Sequence, residues 1–168
     1  MVAAASCLDE DVERCNALSA GGRALADAGR SLAMFEDAAF VDLEWSCATE
    51  PLAAASISLQ SAAQALTGLD DTLGAAFSAA AAELEDASSI SGCISLAAAA
   101  GPNLQSAGAA LLDAGEAIVQ QGQRSAPCTS ARRNVGALLG EAGIAVTEAG
   151  RRLAESGRSL EEGGLQAP

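Results

Sequence analysis

Glycine returns every seven residues near the end of this 168-residue chain, at Gly143, Gly150, Gly157 and Gly164. Leu139, Val146, Leu153 and Leu160 keep the same period, four residues ahead of each glycine. A seven-residue period with one small and one bulky apolar position is a helical heptad, here with Gly at a and Leu or Val at d. Glu141, Glu148, Glu155 and Glu162 fall at f, farthest from the seam, so the polar face stands where a bundle needs it. The scheme recurs at Gly108, Gly115 and Gly122 with Leu104, Leu111 and Ile118, and again at Gly22 and Gly29 with Leu18, Leu25 and Leu32. Each glycine inside a helix costs about 1 kcal/mol relative to Ala. Nine in register therefore imply a close approach of neighbouring helices, with Leu side chains of one filling the space above Gly of the next.

The composition supports helices throughout. The chain holds 42 Ala and 20 Leu and is only 2% aromatic, whereas strands favour β-branched and aromatic residues. Internal repetition points the same way: Gly22 to Leu32 matches Gly150 to Leu160 at eight of eleven positions, and Leu59 to Leu66 matches Leu104 to Leu111 at six of eight. Breaks at 45–51, 87–102 and 123–130 place helices near 12–44, 50–87, 94–124 and 129–162 in a single domain, 1–168. Thr49 ahead of Pro51 reads as an N-cap, as does Thr129 or Ser130, and Pro102 either kinks the third helix or opens it. The expected fold is all-α: an up-down-up-down four-helix bundle with Gly/Ala-rich seams and a left-handed supercoil. The second helix departs from the pattern. Its d positions are Leu52, Leu59, Leu66 and Leu73, but its a positions are Ser56, Ala63, Asp70, Phe77 and Leu84, so either the register slips after Gly68 or the helix frays there.

The missing residues narrow the function. Without Lys, His or Tyr there is no Ser-His or Cys-His nucleophile pair, no imidazole metal ligand and no Schiff-base lysine, so the chain reads as non-enzymatic and without a cofactor. Asp70 beside Asp71 lacks a supporting group for catalysis, and the acidic run Asp9, Glu10, Asp11 and Glu13 lacks the glycine and spacing of a calcium loop, reading instead as a solvated helix start. A net charge of −13 argues against nucleic acid. Residues 1–86 carry 15 carboxylates against three Arg, while 87–168 carry seven against six, so the acidity is concentrated in the first half. The longest uncharged stretch, Ala87 to Leu112, contains Pro102, Asn103 and Gln105 and is no transmembrane segment, and Met1 to Cys7 has no signal-peptide character.

Four of the five cysteines lie at or just before expected helix starts. A four-helix topology would bring Cys15 to Cys93 and Cys47 to Cys128, with Cys7 competing, and such disulfides would place the protein in an oxidising compartment. Arg23, Arg30, Arg151 and Arg158 each follow an a-position glycine, forming either a docking strip for an acidic partner or intrahelical pairs. Trp45, near Phe35 and Phe40, plugs one end of the core or anchors a partner. The expected function is a structural, linker or assembly subunit that contacts other proteins and reaches a membrane only through them. By fold analogy alone this is similar to extrinsic and linker subunits of photosynthetic complexes. The alternative is a carrier or surface binder of an apolar ligand or lipid interface.

Overall fold

The structure, a computed structural model, describes residues 2–36, 45–90, 98–124 and 130–163. All secondary structure in them is helical. Five α-helices follow one another: α1 (Val2–Glu36), α2 (Trp45–Thr67), α3 (Asp71–Ser89), α4 (Gly101–Arg124) and α5 (Ser130–Gly163), with one 3-10 turn, Ala98–Ala100, leading into α4. Each helix packs on its neighbour in sequence and α5 returns to α1, so the contacts form a closed circuit, most extensive between α4 and α5.

The expected second helix is two helices. The backbone N–H groups of Leu69 and Asp70 both donate to the Leu66 carbonyl at 2.9 Å, ending α2, and the chain reverses. Asp70 then caps α3: its carboxylate accepts from the N–H of Thr72 at 3.0 Å and of Leu73 at 3.2 Å. The residue that would have been an unpaired charge in a core thus satisfies two of the orphan donors at a helix start. Its neighbour Asp71 occupies the first turn, where the helix dipole favours a negative charge. The two carboxylates are elements of a turn. Gly74 lets the hairpin close, because a Cβ there would strike the hydroxyl of Thr67 and come within 2.9 Å of its Cα. Farther up, Ser56, the one buried polar side chain among the described residues, donates to the Ala81 carbonyl at 2.7 Å. The pairs Thr67–Gly74 and Ser56–Ala81 show that α2 and α3 run antiparallel.

Other boundaries shift less. Helix α2 begins at Trp45, so Thr49 is itself helical and Pro51 sits inside the helix, forfeiting one backbone hydrogen bond. Pro102 is the second residue of α4, where its missing N–H costs nothing, so it opens the helix and does not kink it. Helix α1 starts ten residues before the expected position, which puts Asp9 to Glu13 inside the helix and away from its N-terminus.

The core is built from the d positions. Leu18, Leu25 and Leu32, Leu52, Leu59 and Leu66, Leu104, Leu111 and Ile118, and Leu139, Val146, Leu153 and Leu160 are all buried, and Phe35, Phe77 and Leu84 join them. Small residues fill the gaps, chiefly Ala28, Ala55, Ala62, Ala80, Ala107 and Ala142.

Candidate functional site

The heptad glycines meet across α4 and α5 one for one. A methyl group placed on Gly108 would lie 2.5 Å from the carbonyl oxygen of Gly150, and one on Gly150 would lie 2.7 Å from that of Gly108. The same reciprocity joins Gly115 to Gly143 at 3.0 and 2.8 Å, and Gly101 to Gly157 at 2.8 and 2.5 Å. Residue numbers rise along one helix as they fall along the other, so α4 and α5 are antiparallel. At each rung bare backbone touches bare backbone, and the Cα hydrogen standing in the Cβ direction faces the opposing carbonyl. Such Cα–H···O contacts contribute roughly 0.5–1 kcal/mol each, which offsets much of the helix-propensity cost of glycine.

Gly22 and Gly29 work differently. Methyl groups built there would meet the Leu138 and Leu139 side chains of α5 at 3.1 to 3.3 Å, and the Ala145 methyl at 3.5 Å, respectively. Here side chains fill the space above glycine, as expected from sequence. Gly22 lies against Leu138 and Leu139 while Gly29 lies against Ala145, so α1 and α5 run parallel. Gly122 is buried on α4, and Gly164 lies outside the described residues. Sequence reasoning missed Gly21, packed under Leu66, and Gly101, which is one heptad before Gly108. The Pro102 boundary signal obscured the latter, although its spacing could have revealed it.

The Arg ladders stay within their own helices. Arg23 donates to the Ser19 hydroxyl at 2.9 Å, Arg30 pairs with Asp27, and Arg158 donates to the Ala154 carbonyl at 3.3 Å. Arg151 bridges Glu148 and Glu155, both at 2.7 Å, and Arg152 holds Glu148 at 2.9 Å. Hydrogen bonds from Arg151 and Arg152 lower the Glu148 carboxyl from 4.5 to about 2, and the same pairing raises Arg151 further above its ordinary value. The two ladders do not converge. Arg151 and Arg158 follow the α4-facing glycines by one residue, about 100° round the helix, whereas Arg152 shares the heptad position of the α1-facing Ala145.

Among the described residues there is no disulfide, and Cys15 is half-buried on α1. Cys7 and Cys47 lie in described helices but their side chains do not belong to the described set, and Cys93 and Cys128 lie outside the described residues. Each expected pair, Cys15 with Cys93 and Cys47 with Cys128, thus includes a residue outside the described set. Phe35 is fully buried, Trp45 opens α2 without a described side chain, and Phe40 lies outside the described residues.

Among the described residues are two surface grooves. One, about 670 Å³, runs between α2 and α3 and is lined by Ala53, Ile57, Gln60, Gln64, Glu85 and Ser88 among others, with Ile57 69% exposed. The other, about 420 Å³, lies between α4 and α5 around Ile144, Val119, Glu116 and Thr147. No group of three metal-ligating side chains occurs among the described residues, and no described helix is long and apolar enough to cross a membrane. No family model, curated protein or solved structure matches the chain.

Proposed function

We propose that this chain is a non-catalytic structural subunit that docks into a larger protein assembly, with its helices acting as a stiff spacer. The observation that carries the reading is the α4–α5 seam, where three pairs of glycines bring two helices into backbone contact along two heptads. Backbone-to-backbone packing has no rotamers to rearrange, so it suits a part whose work is to hold a shape. The seven-residue recurrence implies a left-handed supercoil along this seam. The uneven charge favours selective docking through the acidic half.

Carriage of an apolar ligand within the seam fits less well, because the seam would have to part and forfeit these contacts to make room. Membrane contact, on this reading, comes only through partners. Gentle purification from the native source, followed by identification of what co-migrates, tests the proposal. Stoichiometric protein partners are expected; a native protein that runs alone as a monomer contradicts it.

A further inference from the structure

Between Ser31 and Gln123 the chain contains no cation at all, yet it carries twelve carboxylates in that span. The α2–α3 hairpin lies wholly within it, and its charged groups after Thr49 are Glu50, Asp70, Asp71, Glu83, Glu85 and Asp86. The hairpin also carries the larger groove. On α2 its wall is the stripe Ala53, Ile57, Gln60 and Gln64, which follows helical spacing over about three turns, or roughly 16 Å. Glu50, exposed one turn before Ala53, extends the stripe.

The antiparallel pairing gives the groove two unlike ends. Glu85, Ser88 and Ser89 of α3 line the end near the start of α2, with Asp86 exposed beside them and Glu50 prolonging it, while neutral Gln60 and Gln64 line the other. The Ser88 and Ser89 hydroxyls donate at 2.8 and 2.7 Å to the carbonyls of Glu85 and Asp86, which turns their remaining capacity to accepting. One end therefore offers hydrogen-bond acceptors and negative charge, and the middle offers the exposed side chain of Ile57.

We propose that this groove seats an amphipathic helix of a protein partner bearing Arg or Lys, with an apolar residue against Ile57 and its basic residues at Glu50, Glu85 and Asp86. The inference rests on the structural-subunit reading and names its docking surface. An exposed apolar side chain at the middle of a groove, with negative charge at one end, suits an amphipathic helix that carries one apolar anchor and basic residues beside it. Anionic lipid and nucleic acid are repelled by the carboxylates, and a second copy of a chain with net charge −13 is disfavoured in the same way.

The test uses a fluorescent synthetic peptide of about 14 residues, with Leu at helical spacing and Arg on the border, beside an analogue in which every Arg is Glu. Anisotropy titration against the full chain is expected to give at least about tenfold tighter binding of the Arg peptide, weakening as salt rises. Ile57→Ser is expected to weaken it about tenfold or more. Glu50→Gln, Glu85→Gln and Asp86→Asn together are expected to lower affinity and flatten the salt dependence. Ile144→Ser, in the other groove, is expected to leave binding unchanged, and circular dichroism checks that each variant is folded.

Equal binding of the two peptides, or undiminished binding by Ile57→Ser, overturns the proposal. So does a wild-type dimer in sedimentation that Ile57→Ser dissolves, since the groove's occupant would then be a second copy. Co-migration separates this from failure of the broader reading. A native partner retained by Ile57→Ser would overturn the docking surface and leave the structural-subunit reading standing.

Discussion

Glycine 140 and glycine 108 show how much a residue's surroundings decide. Both are in helix interiors, but a methyl group on Gly140 has nothing within 4 Å, whereas one on Gly108 meets the Gly150 carbonyl oxygen at 2.5 Å and the Ala154 nitrogen at 2.7 Å. Gly140→Ala is expected to stabilise by roughly 0.5–1 kcal/mol through helix propensity and a less free unfolded chain. Gly108→Ala is expected to destabilise by roughly 1–3 kcal/mol, because neither helix backbone can give way locally. Urea denaturation of the two variants beside wild type reads both, and equal effects at the two sites would remove the case for a backbone-contact seam.

Charge at the residue scale is equally local. The Glu148 carboxyl is lowered to about 2 by its hydrogen bonds from Arg151 and Arg152, so its contribution is fully present above the ordinary carboxyl value of 4.5 and is lost as pH falls through about 2. Because the cluster is half-exposed, the effect on stability is small. Its clearest sign is the titration itself. Carboxyl-carbon NMR is expected to place the Glu148 midpoint near 2, and Arg151→Gln with Arg152→Gln is expected to return it toward the ordinary range.

At the scale of elements, the helices carrying glycine heptads were legible in the sequence, and the α2–α3 hairpin was not. The last helix, expected near 129–162, is described as Ser130–Gly163, and the residues on either side of it lie outside the described set. The break at Gly68 to Asp70 was concealed by the heptad itself, which runs through the turn. Leu66 and Leu73 are seven apart and both buried, one on each helix of the hairpin. Periodicity reports which residues face the core, not whether the backbone has reversed between them. The informative residue was Asp70, a charge at a core-type position, which a cap resolves. Asp70→Ala is expected to cost about 1 kcal/mol. Gly74→Ala is expected to cost more, since its methyl group must displace Thr67 from the hairpin. Thermal unfolding of the two variants would show whether that order holds.

For the whole molecule, one extra reversal changes the parity. In a succession of four antiparallel helices the first and last run opposite ways; in a succession of five they run the same way, as α1 and α5 do. All-α architecture and the composition of the core were legible because Ala, Leu and Gly at heptad spacing leave few other outcomes. Helix directions were not, because they depend on the number of turns, and one turn carries no Pro and a single Gly. The docking groove was equally hidden, since it exists only once α2 and α3 lie side by side.

The parallel α1–α5 closure is therefore the claim on which the rest depends, and a cross-link tests it. A methyl group on Gly22 would lie 3.1 Å from the Leu138 side chain, close enough for cysteines at the two positions to be joined. The double variant Gly22→Cys, Leu138→Cys should be oxidised with the five native cysteines replaced by Ser, then digested at Arg without reductant and weighed by mass spectrometry. The five-helix arrangement predicts one linked pair of peptides, one ending at Arg23 and the other ending at Arg151. In a four-helix bundle whose first and last helices, 12–44 and 129–162, run antiparallel, Gly22 is level with about residue 151, roughly 20 Å along the axis from Leu138, so recovery of only unlinked peptides from folded protein would contradict the fold described.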